Sequence, residues 1–210
     1  MVDDIVAGAP VPAGKAGVLA RVCEELTAGD RSAGEQILRA EYPFAPAGKA
    51  NRRYTERECL RVFYRDGFLD RYSGTQLVNP GALRLLSVLL PDAFPADPHW
   101  NMERSHIGFW ELFPTIDHIV PIARGGVDDS ANWVTTSMLR NSAKAHWTLD
   151  ELNWQMVPAG TAGEWDGLSG WLIEYAAAHP DQIAGNKYVG RWLSATTAVA
   201  REQALIDPVS

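Results

Sequence analysis

The sequence predicts an α+β fold, with a strand–loop–strand–helix unit in mid-chain and helical segments on either side. Three observations carry this. Residues 113–147, FPTIDHIVPIARGGVDDSANWVTTSMLRNSAKAHW, hold two short runs rich in Ile, Val and Thr around a polar loop. A helix-type pattern follows the second run. Upstream, Asp30 and Thr55 stand where helix N-caps belong, and downstream the apolar spacing of 167–178 and 185–202 suits two more helices.

Taken in order, residues 1–13 read as a loose tail rich in Ala, Pro and Gly. Helices are expected at 15–28 and 31–41, the second opened by Asp30 and closed near Pro43. APAGKAN is a linker. Thr55 opens the helix TERECLRVFYRD, with Glu58 completing a capping box and Gly67 closing it. FLDRYSGTQL reads as a tight hairpin or knuckle about Ser73-Gly74, and PGALRLLSVLL, at 80–90, as a short apolar helix with Pro at its start. PDAFPADPHW is a Pro-rich loop. FPTIDHIVPI is a strand whose pairing stops near Pro121, because proline cannot donate to a ladder. ARGGVDDSAN is the loop, WVTT the second strand, and Thr136 or Ser137 the cap of the helix SMLRNSAKAHW. TLDELNW gives one helical turn. The organisation expected is a helical extension over 1–49, a core over 50–155 and a second helical extension over 156–210 packed on that core. Most of the eight tryptophans, which lie between Trp100 and Trp192, read as packing that joins the C-terminal helices to the mid-chain unit.

Composition narrows the function classes. The chain has 210 residues, a net charge of −7 and no apolar run of transmembrane length. Its N-terminus carries acids where a signal peptide carries bases, so a cytoplasmic protein is expected. Cys23 and Cys59 form no CxxC pair, which argues against a Cys-rich zinc site and a disulfide framework. Charge is uneven. Residues 1–48 carry four basic and seven acidic side chains, whereas residues 49–80 carry seven basic and four acidic. That single positive stretch suits local contact with a polyanion, and equally a solvated helix face.

The mid-chain unit gathers Asp117, His118, Asn132 and Asn141. Asp117 and Asn141 offer hard oxygens. Two such ligands, with waters and phosphate oxygens, suit Mg²⁺, and Mn²⁺ can take the same set. His118 can accept a proton near neutral pH. Neighbouring strand residues point to opposite faces, so Asp117 and His118 would flank a substrate rather than share one ion. Asn132, with donor and acceptor on one amide, could tie the loop that holds the histidine. On a helix, Lys144 shares the face of Asn141, whereas His146 lies about 140° away. His99 and His106, in or after the Pro-rich loop, leave a second metal site or a structural role open, with the structural one favoured, and His179 before Pro180 reads as a helix end.

These residues, as DHIVPIARGG, ANW and RNSAK, resemble the HNH endonuclease family, the ββα-metal nucleases. FYRDGFLDRYSGTQL is similar to the knuckle that precedes the motif in many members. The resemblance covers residues from about 63 to 147. Many members carry CxxC pairs that hold a structural zinc. The matching positions here are Asp70, Ser73, Ser137 and Arg140, so no structural zinc is expected and packing or hydrogen bonding must replace it.

The resemblance implies metal-dependent hydrolysis of DNA phosphodiesters, of a restriction or mobile-element type. It implies that Asp117 and Asn141 bind one Mg²⁺, that His118 is the general base, and that Asn132 positions it. Arg124, Arg140, Lys144, Arg52 and Arg53 are the expected phosphate contacts. DNA is the expected partner, with no membrane, and a homodimer is compatible with the chain. Two other readings stay open: a non-catalytic binding module that keeps the hairpin, and an RNase or toxin with the same core. Singly, Asp117 could be a turn cap, His118 a satisfied strand-end histidine, Asn132 a turn residue and Asn141 a surface helix residue. Jointly, those bland assignments require a coincidence.

Overall fold

The computed structural model describes residues 14–44 and 54–206, so the expectations for the tail and the linker lie outside the described residues. The chain divides into two compact units, Met1–Ala50 and Asn51–Ser210. No described helix is long and apolar enough to cross a membrane.

The first unit is a pair of helices, α1 (Gly14–Thr27) and α2 (Arg31–Glu41). Asp30 caps α2 by accepting the Ala33 N–H at 2.9 Å. Buried Gly34 of α2 faces Val22 and Leu26 of α1, where a Cβ would make ordinary contact, at 3.5 Å from Val22.

The second unit is mixed, mostly helical with one small antiparallel sheet. Its first helix, α3 (Glu56–Arg65), starts on the expected capping box. Thr55 Oγ1 accepts the Glu58 N–H at 3.2 Å, and Glu58 Oε2 accepts the Thr55 N–H at 2.8 Å. Gly67 ends it with φ of +65°, and a Cβ there would lie 2.3 Å from the Gly160 carbonyl carbon, so only glycine fits. Helix α4 (Pro80–Leu89) is capped by buried Asn79, whose amide also donates to Ser169 Oγ and Thr196 Oγ1 at 3.0 Å each.

The chain then makes a short helix that the sequence did not suggest, α5 (Gly108–Glu111), and enters β1 (Pro114–His118). Strand β2 (Trp133–Ser137) returns antiparallel and pairs His118 with Trp133 and Asp117 with Val134. Ser137 caps α6 (Met138–Lys144), which ends sooner than the pattern to Trp147 suggests, because Ala145 turns to φ of +46°. The remaining helices are α7 (Leu149–Leu152), α8 (Ser169–Ala178), α9 (Pro180–Ile183) and α10 (Lys187–Ile206). Helix α10 packs on α3 and α4, so the C-terminal helices share the core of the rest of this unit. Phe63, Phe68, Trp192 and Val199 form one apolar cluster, and Leu83, Phe109, Leu172 and Val189 another. Trp165 also anchors the loop before α8, its indole donating to the Leu77 carbonyl at 2.6 Å.

A two-stranded ribbon is marginal alone. Here the free edge of β2 is closed by two buried carboxylates from the end of α3 and the knuckle. Asp66 Oδ2 accepts the Thr135 N–H at 2.8 Å, and Asp70 Oδ2 accepts the Ser137 N–H at 2.9 Å. Between them the Arg71 N–H donates to the Thr135 carbonyl at 2.9 Å. The knuckle thus satisfies the ladder groups of β2 as a third strand would. Asp70 Oδ1 also accepts from the Tyr72 N–H at 2.9 Å and from Thr136 Oγ1 at 3.2 Å. Of the positions matched to thiolates above, Asp70 and Ser137 are therefore joined directly, by a hydrogen bond.

Candidate functional site

Because β2 runs antiparallel to β1 and straight into α6, the start of α6 lies beside the N-terminal end of β1, and its last residue, Lys144, reaches the C-terminal end. His118 is 7% exposed, and its ring contacts among the described residues all fall on Nε2. Asp128 Oδ1 lies 2.8 Å from that nitrogen. The same oxygen accepts from Tyr54 Oη at 2.8 Å and from Trp133 Nε1 at 2.9 Å. Trp133 is the cross-strand partner of His118, and Tyr54 meets its ring edge-on at 4.9 Å. The hydrogen bond from His118, the largest influence, holds the Asp128 carboxyl below the usual range, with Tyr54 and Trp133 adding to it. Sequence reasoning missed Asp128. The signal available was the acidic pair Asp128-Asp129, in a loop that had to return toward His118.

Asn132 ties the base of that loop. Its Oδ1 accepts the Val120 N–H at 2.9 Å, and its Nδ2 donates to the carbonyls of Val120 at 2.9 Å and Val127 at 2.8 Å. Its own carbonyl accepts the Ile119 N–H at 2.9 Å. One amide thus fixes the chain on both sides of the turn directly after His118. Gly126 is required by the same closure, since a Cβ there would lie 1.9 Å from the Val120 oxygen.

On the neighbouring strand position, Asp117 Oδ2 accepts from Tyr72 Oη at 2.7 Å and pairs with Lys144 Nζ at 2.8 Å. Lys144 also donates to the His118 carbonyl at 2.7 Å, and its side chain is fully buried. This corrects the expectation that Lys144 meets a phosphate. It does share the face of Asn141, but that face packs onto β1 rather than toward solvent. Burial, and then the adjoining Asp117, push the Tyr72 phenol far up, so it stays a donor to the carboxylate. Asn141 Nδ2 donates to Thr115 Oγ1 at 2.9 Å and to the Ile116 carbonyl at 3.2 Å, which holds its amide against β1.

The donor set fits a hard divalent cation in kind. Among the described residues, every hydrogen bond of the Asp117 carboxylate falls on Oδ2 and every one of the Asn141 amide on Nδ2. No buried side-chain oxygen among them lacks a partner, so Oδ1 of each residue reaches solvent. One carboxylate oxygen and one amide oxygen suit Mg²⁺ that keeps most of its waters. Lys144 offsets the only formal negative charge of the pair, so such a cation would bind weakly until another anion joined it. Among the described residues, no group of three or more His, Cys, Asp or Glu side chains could hold a metal.

The other expected phosphate contacts are engaged elsewhere or lie outside the description. Arg124 donates to the His146 carbonyl at 3.3 Å and pairs with Glu151 at 3.2 Å. The Arg140 guanidinium sits 5.1 Å over the Trp154 ring. Arg52 and Arg53 lie outside the described residues. Much of the positive stretch is paired within the protein, with Arg57 and Arg61 on Glu202 and both Arg65 and Arg71 on Asp66. His106 stacks on Phe94 at 4.6 Å and accepts the Gly108 N–H at 3.1 Å, a structural use. No family model, curated protein or solved structure matches the chain.

Proposed function

We propose that this protein is a metal-dependent endonuclease that hydrolyses DNA phosphodiester bonds, of the HNH type its motif resembles. The observation that carries the reading is one short strand that carries a clamped histidine and, at the adjoining position, a carboxylate, with an asparagine amide held against the same strand. His118 is clamped through Nε2, and Oδ1 of Asp117 and Oδ1 of Asn141 each reach solvent. A module that only bound nucleic acid would need neither a positioned base nor a cation site.

His118 is the group that takes the proton from the attacking water. The new P–O bond forms as the bond to the 3′ oxygen breaks, leaving a 5′-phosphate and a 3′-hydroxyl. Asn132 keeps the turn after His118 closed, so the imidazole does not swing out with the loop. Asp117 and Asn141 would hold one Mg²⁺, or Mn²⁺, which supplies charge stabilisation for the phosphate and the departing 3′ oxygen. Lys144, 2.8 Å from Asp117, keeps the region from presenting an uncompensated carboxylate to a phosphate. A restriction or mobile-element role remains an analogy from fold and motif.

The test is incubation of modified and unmodified plasmid DNA, and of RNA, with Mg²⁺, Mn²⁺ or EDTA. The expected result is cleavage of DNA with either metal and none in EDTA. His118→Ala should slow single-turnover cleavage by about 10²–10⁴ with the fold intact. Asp117→Asn should abolish Mg²⁺-dependent cleavage, whereas Asn141→Asp retains some. Equal cutting in EDTA removes the metal from the reaction, and a His118→Ala rate within a few-fold of the parent removes the base. Cleavage of RNA alone moves the substrate to the other nucleic acid.

A further inference from the structure

The proposed function leaves open which nitrogen of His118 does the work. Asp128, for which no role was expected, answers that. A carboxylate only accepts hydrogen bonds, so a contact at 2.8 Å between Asp128 Oδ1 and His118 Nε2 needs a proton on Nε2. The competing donor is the Trp133 indole, 3.2 Å from Nε2 and 2.9 Å from Asp128 Oδ1. It has one hydrogen, which goes to the nearer and charged acceptor. The Tyr54 hydroxyl makes the same choice, at 2.8 Å from Asp128 against 3.5 Å from Nε2. All three donors therefore point at one oxygen, and of the two neutral tautomers only Nε2–H satisfies the cluster. His118 is largely buried and no buried side-chain nitrogen among the described residues lacks a partner, so Nδ1 reaches solvent.

We propose that Asp128 is a positioning residue that holds His118 as the Nε2–H tautomer and presents Nδ1 as the proton acceptor. This rests on the nuclease reading for its chemistry but not for its geometry. Asp128 does not touch the substrate. It acts through the imidazole, as an orienting carboxylate does in other base-and-orienter pairs. Tyr54 and Trp133 in turn hold the carboxylate, so the loop, α3's entry and β2 all meet at one oxygen.

The decisive substitutions are Asp128→Asn and Asp128→Ala, taken together. In Asp128→Asn the amide Oδ1 replaces the carboxylate oxygen that accepts from Tyr54, Trp133 and His118, so Nε2 keeps its proton. Asp128→Ala leaves no acceptor there, and the Trp133 indole, 3.2 Å from Nε2, donates to that nitrogen instead, which moves the ring proton to Nδ1. Long-range ¹H–¹⁵N correlation of the His118 ring in the full chain at pH 8 should show Nε2 protonated and Nδ1 bare in the parent and in Asp128→Asn, and the reverse in Asp128→Ala. Single-turnover DNA cleavage should fall about 10²–10⁴-fold in Asp128→Ala, with the apparent KM within a few-fold, and should fall less in Asp128→Asn. A parent His118 with a protonated Nδ1 and a bare Nε2 overturns the assignment whatever the activity. So does an Asp128→Ala protein whose His118 keeps Nε2 protonated and Nδ1 bare. If the parent cuts no nucleic acid yet shows the expected tautomer, the nuclease reading fails and the tautomer assignment stands.

Discussion

Lys144 Nζ lies 2.8 Å from Asp117 Oδ2, and no part of the lysine is exposed. A fully buried ammonium is tolerated only when it is paired and hydrogen-bonded. Here the carboxylate, the His118 carbonyl at 2.7 Å and the Tyr72 ring at 5.7 Å meet that need. The pair links α6 to β1 directly beneath the proposed base.

Lys144→Met tests this. Methionine fills a similar volume but leaves Asp117 with only the Tyr72 hydroxyl. Removing one partner of a buried pair costs about 3–5 kcal/mol. The urea midpoint should drop accordingly in equilibrium unfolding. A midpoint unchanged from the parent would mean that Lys144 is solvated and free to meet a phosphate.

Asp70 should matter as much to the fold as a structural metal would. Asp70→Ala strips acceptors from the buried N–H groups of Tyr72 and Ser137 and from Thr136 Oγ1. Unsatisfied buried donors cost about 1–3 kcal/mol each, so a loss of about 3 kcal/mol or more is expected. Thermal melts of the parent with and without a strong chelator should superimpose. A parent that melts on chelation would show that the knuckle needs zinc after all.

The two cysteines should differ in reactivity. Burial, and then the nearby Glu56 and Glu58, push the Cys59 thiol up to about 12. Cys23 is exposed. At pH 8 the native protein should react with a thiol reagent at Cys23 and spare Cys59, with both labelled after denaturation. Peptide mapping after brief alkylation reads this directly. Equal labelling of both in the native state would contradict the packing of α3 against the core.

The sequence alone was sufficient wherever the signal is local. Capping of α2 by Asp30, the box of Thr55 and Glu58, and the strand–loop–strand–helix order all depend on residues within a few positions of one another. Asn132 was legible as a loop tie for a similar reason, because its partners Val120 and Val127 precede it in the same loop. What the tertiary structure decided is where each face points and what it meets. Helical spacing puts Lys144 beside Asn141, but spacing does not say whether that face meets water or Asp117. Asp66 and Asp70 look in the sequence like ordinary surface acids at a helix end, and only the docking of the knuckle on β2 makes them edge caps. Asp128 is a loop acid until the ribbon closes and brings it to His118. Desolvation and long-range hydrogen bonds depend on neighbours far apart in the chain, so no window of sequence contains them.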